Sequence, residues 1–198
     1  ADVSFGSRKL NKHIVEQVEC FARANWSDGK DFLKQIKGTA FAVPGTTPGC
    51  SDGDDLIVHH GFNNIAGWAV RQTDLMDTIK KQFNKYNTLY VTGHSLGGAV
   101  ATLFAAKMPY AVCATYDYVP GAPSPFVDFN DCLRQYFGKI RVTTFGSPHV
   151  GNQAFANFYK RIGLHDKTQR YENPGDLVPT IYKKLESAFV HVGSRYSV

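Results

Sequence analysis

Apolar side chains recur at helical spacing in three stretches of the chain. In the first, residues 9–25, one face of a helix carries Leu10, Ile14, Val18, Phe21 and Ala22. After Gly61 a second pattern continues to about Asn87 and predicts one long helix. A third pattern, at 152–162, predicts another helix nearer the end of the sequence.

Short apolar and β-branched runs between these helices predict strands. They occupy residues 31–38, 88–92, 139–145 and 169–172. The run at 88–92 leads directly into a tight turn and then into the helix-forming stretch 99–107. Residues 40–53 contain two Pro and three Gly, which predicts a loop. Because strands alternate with helices, we expect an α/β fold with a mostly parallel sheet and helices on both faces.

The length of the chain limits its organisation. With 198 residues and 43% hydrophobic composition it can bury one sizeable core, so we expect a single domain over residues 1–198. The longest apolar run, around Ala99–Ala106, is shorter than the ~20 residues that cross a bilayer. The first residues lack the pattern of a signal peptide. We therefore expect a chain without a transmembrane segment, from which any export signal has been removed.

Charge and cysteine content narrow the function classes further. The formal net charge is +5, but Lys and Arg are interspersed with Asp and Glu, so no nucleic-acid-binding stripe is indicated. The four cysteines lack zinc-site spacing and predict disulfides or buried thiols, with three pairings open: Cys20, Cys50, Cys113 and Cys132. Their even number and a glycosylation sequon at 25–27 favour a secreted protein.

The strongest chemical signal is the sequence GHSLG at 93–97. It satisfies the G-x-S-x-G motif directly after a predicted strand and directly before a predicted helix. In that setting the Ser95 hydroxyl projects from a strained turn, the nucleophile elbow, where it can act as a nucleophile. The alternative is a dinucleotide-binding turn. That turn requires G-x-G-x-x-G, which the glycine spacing at 93–98 does not supply.

Four segments of the sequence carry a family resemblance. They are VHHGF at 58–62, VTGHSLGGAVA at 91–101, TFGSPHVGN at 144–152 and NPGDLVP at 173–179. In this order they resemble the motifs of the class 3 lipases, the fungal triacylglycerol lipase family, over roughly residues 31–198. The resemblance implies a compact α/β-hydrolase fold and the hydrolysis of carboxylic esters through an acyl-enzyme.

The same resemblance assigns the partners of Ser95. An α/β-hydrolase serine needs a carboxylate and a histidine, in the chain order Ser, acid, His. The sequence FVHVG at 189–193 resembles the setting of the family's catalytic histidine, which implies His191 as the base. Asp176, within NPGDLVP, matches the catalytic aspartate. His149 stands where the family usually has Arg, so we interpret it as a departure from the family and not as a rival base.

Two donors are expected in the oxyanion hole. One is the backbone N–H of Leu96, because the residue after the nucleophile faces the developing oxyanion. The sequence IKGT at 36–39 resembles the family's F-R-G-T, which implies Thr39 as the second donor through its amide, its hydroxyl or both. Phe62 is the alternative second donor. The residues expected to contact acyl chains are Phe41 and Val43.

These features predict a triacylglycerol lipase that acts as a monomer on acylglycerols or other apolar esters, including at a lipid–water interface. A feruloyl or other aryl esterase and a non-catalytic lipid-binding protein stay open as alternatives, and no metal or organic cofactor is implied.

Residues 40–53 are too short and too rich in Pro and Gly for a helical lid, so we expect little interfacial activation. Residues 109–138 predict a packed excursion toward the end of the sheet opposite the nucleophile, which a Cys113–Cys132 bond could close.

Overall fold

A computed structural model describes residues 41–42, 56–116, 125–126, 128–180 and 189–198 of the chain. The predicted helix at 9–25, the predicted strand at 31–38 and nearly all of the predicted loop at 40–53 lie outside the described residues. Four residues singled out from the sequence also lie outside them: Cys20, Thr39, Val43 and Cys50.

A parallel sheet of four strands organises the described part of the chain. In spatial order its strands are β3 (Leu89–His94), β4 (Ile140–Phe145), β6 (Thr168–Glu172) and β8 (Ser194–Ser197). Every neighbouring pair is parallel, and the register aligns His94 with Phe145 and Phe145 with Tyr171. The strands therefore end together along one side of the sheet, which we call the carboxyl edge. This sheet confirms the predicted α/β architecture.

The described residues also form a second sheet of four strands, each two residues long, which are interspersed along the sequence with those of the first sheet. Its spatial order is β1 (Phe41–Ala42), β2 (Ile57–Val58), β5 (Gly151–Asn152) and β7 (Phe189–Val190), and all its pairs are antiparallel. Strands this short carry no readable alternation of apolar and polar positions. The sequence accordingly predicted none of them as strands, although β5 and β7 bring two distant segments together.

In the part of the chain that the structure describes, five α-helices fill the connections between these strands. They are α1 (His60–Ala69), α2 (Thr73–Phe83), α3 (Leu96–Cys113), α4 (Phe129–Lys139) and α5 (Gln153–Arg161), with 3₁₀ turns at His165–Lys167 and Val178–Thr180. The helix predicted at 152–162 corresponds to α5, and the strands predicted at 88–92, 139–145 and 169–172 correspond to β3, β4 and β6. Helix α3 continues to Cys113, well beyond the predicted end at 107, because Met108 and Val112 are buried on either side of Pro109.

The prediction of one long helix up to Asn87 was wrong. The chain turns between α1 and α2, where the amides of Arg71 and Gln72 donate to carbonyls only three residues back, at 3.1 Å each. Gln72 then adopts an extended backbone before α2 begins. Ile65 and Trp68, which the pattern placed on the buried face, are 43% and 61% exposed. The apolar pattern that predicted one helix therefore combined residues from two separate helices, α1 and α2.

Helix α3 is the centre of the hydrophobic core. Its residues Ala99, Leu103 and Ala106 are fully buried, and the helix packs on β3, β4, α1 and α4. By length and composition alone its 18 residues, with a mean hydropathy of 1.3, would suit a membrane span, but 67% of them are buried within the fold. In this structure α3 is accordingly a core helix, as the apolar residues after the elbow require.

A disulfide joins the end of α3 to α4. Cys113 and Cys132 are bonded and fully buried, which confirms this pairing among those that the sequence left open. The bond fastens a cluster of aromatic rings in which Phe83 packs against Tyr136 at 4.0 Å and against Phe126 at 5.4 Å between centroids. The described residues of the predicted excursion at 109–138 are thus packed and partly helical.

Removing this bond should weaken the fold. The two cysteines are 19 residues apart, and opening a loop of this size typically costs about 3 kcal/mol of unfolding free energy. We expect Cys113→Ala and the double variant Cys113→Ala/Cys132→Ala to lose nearly the same amount, because either change breaks the same bond. Urea unfolding would measure both losses, and an unchanged unfolding free energy in both variants would contradict the prediction.

Candidate active site

Ser95 lies at a strained turn between β3 and α3. Its backbone has φ 54° and ψ −126°, and it is the only non-glycine residue with positive φ in the described part of the chain. A conformation of this kind costs of order 1–3 kcal/mol and persists only where its surroundings enforce it. Here the Ser95 amide donates to the Phe145 carbonyl at 2.8 Å, which ties the turn to the end of β4.

Two glycines make the sharp turn possible. A Cβ on Gly93 would lie 2.1 Å from the Gly97 carbonyl oxygen, and a Cβ on Gly98 would lie 2.8 Å from the Ser147 Cβ. Both distances are shorter than any real contact, so α3 can approach β3 and the following loop only without these side chains. The strand, turn and helix expected around the G-x-S-x-G motif are therefore present.

The start of α3 supplies amides close to Ser95. The amides of Gly98 and Ala99 donate to the Ser95 carbonyl, at 2.9 and 3.4 Å. Leu96 precedes them as the first residue of α3, and the amide of the first residue of a helix has no acceptor within that helix. The alternative donor, Phe62, uses its amide to cap α1 by donating to His59 Nδ1 at 3.4 Å. Phe41 lies in β1, paired with Val58.

Asp176 lies near Ser95 because a glycine leaves room for its carboxylate. Its Oδ2 lies 2.6 Å from where a Cβ on Gly146 would be, and Gly146 has a left-handed φ of +56°. Gly146 directly follows Phe145, whose carbonyl holds the Ser95 amide. The other carboxylate oxygen, Oδ1, accepts the amide of Val178 at 2.9 Å. The loop after β6 thus delivers Asp176 to the carboxyl edge.

His191 lies between β7 and β8. Its Nε2 is 2.9 Å from the Pro179 carbonyl oxygen, and this nitrogen must be the donor because a carbonyl only accepts. Glu172 Oε1 lies 3.8 Å from the same nitrogen. Within the described ranges no hydrogen bond joins the ring to Ser95 or to Asp176. The structure therefore brings the three predicted residues to one region without linking them.

A contact between two histidine rings in the site was not predicted from the sequence. The imidazole of His149 stacks on that of His191, with ring centroids 3.7 Å apart and planes inclined by 24°. His149 precedes β5 and His191 follows β7, so the pairing of these two strands creates the contact. No local pattern signals such a pairing. The only hint in the sequence was that His149 replaces the usual Arg.

The sequence also gave no reason to single out Glu172. This residue is 4% exposed and forms ion pairs with Arg170 and, at 2.8 Å, with Arg195. Two guanidinium groups thus surround one buried carboxylate beside His191. Among the described residues, no cluster of three or more His, Cys, Asp or Glu side chains is arranged to hold a metal ion.

The electrostatic surroundings keep His191 neutral. Burial is the main cause that lowers its pKa, followed by the positive charge of Arg170 and by His149, and the pKa falls to about 3. The hydrogen bond to Pro179 acts in the opposite direction without cancelling the others. A neutral imidazole is the form that can accept a proton near neutral pH.

These features together define an α/β-hydrolase. A serine on a strained strand-to-helix turn lies at the carboxyl edge of a parallel sheet, with a carboxylate from a later loop and a neutral histidine nearby.

Solved structures of lipases share the fold. The Rhizomucor miehei lipase propeptide complex matches with a TM-score of 0.54 and 28% identity, over 84% of this chain and 45% of that one. A triacylglycerol lipase described as having a serine protease triad at its catalytic centre matches with a TM-score of 0.55 and 28% identity, over 85% and 52%.

Sequence comparison identifies the family. The model of the family Lipase (class 3) matches residues 23–185, and the chain belongs to that family. It is 32% identical to a lipase from Rhizomucor miehei over 141 residues, which is 70% of this chain and 32% of the relative. It is also 32% identical to the secreted mono- and diacylglycerol lipase MDL3 of Malassezia globosa over 131 residues, or 63% of this chain and 33% of the relative. Each match thus spans about a third of the relative's length.

Replacing single glycines of the elbow should show whether they are needed for lack of space or only for their backbone conformation. Gly93→Ala places a Cβ 2.1 Å from a carbonyl oxygen, so we expect it to cost more than about 3 kcal/mol of unfolding free energy. Gly97→Ala is the matched control, because a Cβ there meets nothing within 4 Å and alanine favours a helix. Chemical denaturation would compare the two variants, and equal stabilities would contradict the close approach.

The low pKa of His191 predicts an acid-sensitive fold. The unfolded chain takes up a proton near the ordinary imidazole pKa of about 6.5, while the folded chain resists it down to about 3. Stability should therefore fall as the pH decreases from about 6.5, by up to about 1.4 kcal/mol per pH unit for this one group. His191→Gln should reduce the slope of unfolding free energy against pH. Identical slopes in the two proteins would show that His191 does not contribute.

Proposed function

We propose that this chain hydrolyses carboxylic esters of apolar acyl groups, with Ser95 as nucleophile, His191 as general base and Asp176 as the orienting acid. The observation that carries the proposal is the strained Ser95 backbone at the carboxyl edge, a conformation that costs free energy and that is typical of functional sites. The family supports the chemistry, since its solved relative is described as having a serine protease triad.

The reaction follows from the roles of the three side chains. Ser95 Oγ attacks the ester carbonyl while an imidazole nitrogen of His191 accepts its proton. The tetrahedral intermediate then collapses to an acyl-enzyme as His191 returns the proton to the departing alcohol. Water attacks the acyl-enzyme with the same proton relay, which releases the carboxylic acid and restores Ser95.

This mechanism requires the His191 ring to turn. In the structure Nε2 donates to the Pro179 carbonyl, whereas catalysis needs one ring nitrogen to face Ser95 and the other to donate to Asp176. Catalytic hydrogen bonds are often loose before substrate binds. Pro179 lies only three residues after Asp176, so a rotation of the side chain redirects the ring within the same small region.

The oxyanion is stabilised by amides at the start of α3. We propose the Leu96 amide as one donor, supported by its place in the first turn, where the helix dipole also favours negative charge. The second donor in the proposal is Thr39, for which the resemblance to F-R-G-T is the support.

Exposed apolar side chains beside the proposed catalytic residues favour an apolar substrate. Leu96 and Phe145, on either side of the Ser95 turn, are 50% and 43% exposed, and Leu177 beside Asp176 is 70% exposed. Relatives named mono- and diacylglycerol lipases agree with this chemistry. We propose acylglycerols as the substrates, taken up by the monomeric chain, and an extracellular location as for the relatives named secreted.

One observation favours aryl esters as a second candidate. Phe145, Tyr171 and Tyr196 form a row across β4, β6 and β8, with stacked rings whose centroids are 5.5 and 5.2 Å apart. The row begins at Phe145, whose carbonyl holds the Ser95 amide. A planar aromatic acyl group could stack on such rings. Comparison of long-chain acylglycerols with hydroxycinnamate esters would decide between the two substrate classes.

The triad assignment is tested by three substitutions. Ser95→Ala, His191→Gln and Asp176→Asn should each lower kcat for nitrophenyl esters by about 10⁴-fold or more, because each removes an essential part of one proton relay. A series of acyl-chain lengths would report substrate preference in the same assay.

A matched control and a covalent probe accompany this test. Ser194→Ala alters an exposed serine of β8 and should leave turnover unchanged. An organophosphonate should label the wild-type chain at Ser95 and leave Ser95→Ala unlabelled. Turnover that survives in Ser95→Ala, or labelling at another residue, would refute the proposed chemistry.

A further inference from the structure

His149 is held against the proposed base by both strands of a pair. Gly151 pairs with Val190 and Asn152 pairs with Phe189, so the backbones that carry the two imidazoles are in fixed register. The β5 side is anchored further, because Asn152 Oδ1 accepts the amides of Ile57 and Phe155 at 3.1 Å each. The stack therefore rests on rigid backbone.

The stack restricts how the His191 ring can move. One face of the ring is covered by His149, with centroids 3.7 Å apart, and one edge meets the Pro179 carbonyl. Tilting the His191 ring away from the His149 ring would break this stack, so the contact favours orientations in which the two rings stay nearly parallel.

We propose that His149 is a positioning residue for the general base: its ring fixes the plane of the His191 imidazole as that imidazole turns toward Ser95. This inference rests on the proposed function of His191. The proposal gives a role to His149, the residue at which this sequence differs from the family motif, which usually has Arg. His149 stacks an aromatic ring on His191, whereas an arginine would carry a planar guanidinium with a permanent charge.

The charge at position 149 also acts on the base. Among the described residues, the other charged groups facing His191 are Arg170 and Glu172 from β6 and Arg195 from β8. Positive charge near an imidazole disfavours its protonated form. Relative to wild type, a permanent cation at 149 should therefore move the acidic limb of the pH profile of kcat/KM to lower pH. An uncharged ring at 149 should move that limb to higher pH.

Three variants of position 149 separate these effects. His149→Ala removes the platform and should lower kcat about tenfold or more with little change in KM, since a misplaced catalytic group lowers the rate steeply. His149→Phe keeps a flat ring and should regain most of the lost kcat, with its acidic limb at higher pH than in wild type. His149→Arg restores the family residue and should shift the limb to lower pH.

Two further measurements guard against a purely structural effect. Thermal unfolding would show whether each variant folds, and His60→Gln, which alters another buried histidine on α1, is the matched control. Nitrogen chemical shifts of the His191 ring, recorded in the Ser95→Ala background, report its tautomer and environment without any turnover. These shifts should change in His149→Ala and stay close to wild type in His149→Phe.

The outcomes distinguish this inference from the proposed function. If His191→Gln remains active, the proposed function fails and the role of His149 fails with it. If His191→Gln is inactive while His149→Ala keeps wild-type kcat, pH profile and ring shifts, only the positioning role is refuted. A folded His149→Phe as impaired as His149→Ala would also refute it, because a flat ring would then not suffice.

Discussion

The hydrogen bond from the Ser95 amide to the Phe145 carbonyl is the constraint on which the rest of the site depends. It holds a non-glycine residue at positive φ, where the backbone alone would not stay. The strain is compensated by α3, whose apolar residues become buried only if the chain reverses sharply after β3. Packing of the core helix and presentation of the serine hydroxyl are thus two results of one turn.

The parallel sheet explains why the remaining residues gather at the same place. Strands β3, β4 and β6 end in register, and the loops that follow them carry Ser95, Gly146 and Asp176. Gly146 is as important as the side chains, since its missing Cβ leaves the space that Asp176 occupies. The short antiparallel strands complete the site from the other side by pairing the segment before α5 with the segment that bears His191.

Local chemistry in this chain could be predicted from sequence, whereas contacts between distant segments could not. The elbow was predictable because its glycines and serine act on one another within six residues. The turn between α1 and α2 was missed because two apolar stripes happened to continue each other's spacing. The His149–His191 stack and the Glu172 ion pairs depend on strand pairings of two residues or on the order of β6 and β8 in the sheet. A one-dimensional pattern does not contain such pairings.

The position of β8 has a consequence for the order in which the proposed site is completed. This strand forms the outer member of the parallel sheet, next to β6, and His191 lies just before it, whereas Ser95 follows the first strand of that sheet. A ribosome releases the nucleophile long before it releases the proton acceptor. With His191 as the base, a nascent or truncated chain carries a serine that cannot be activated.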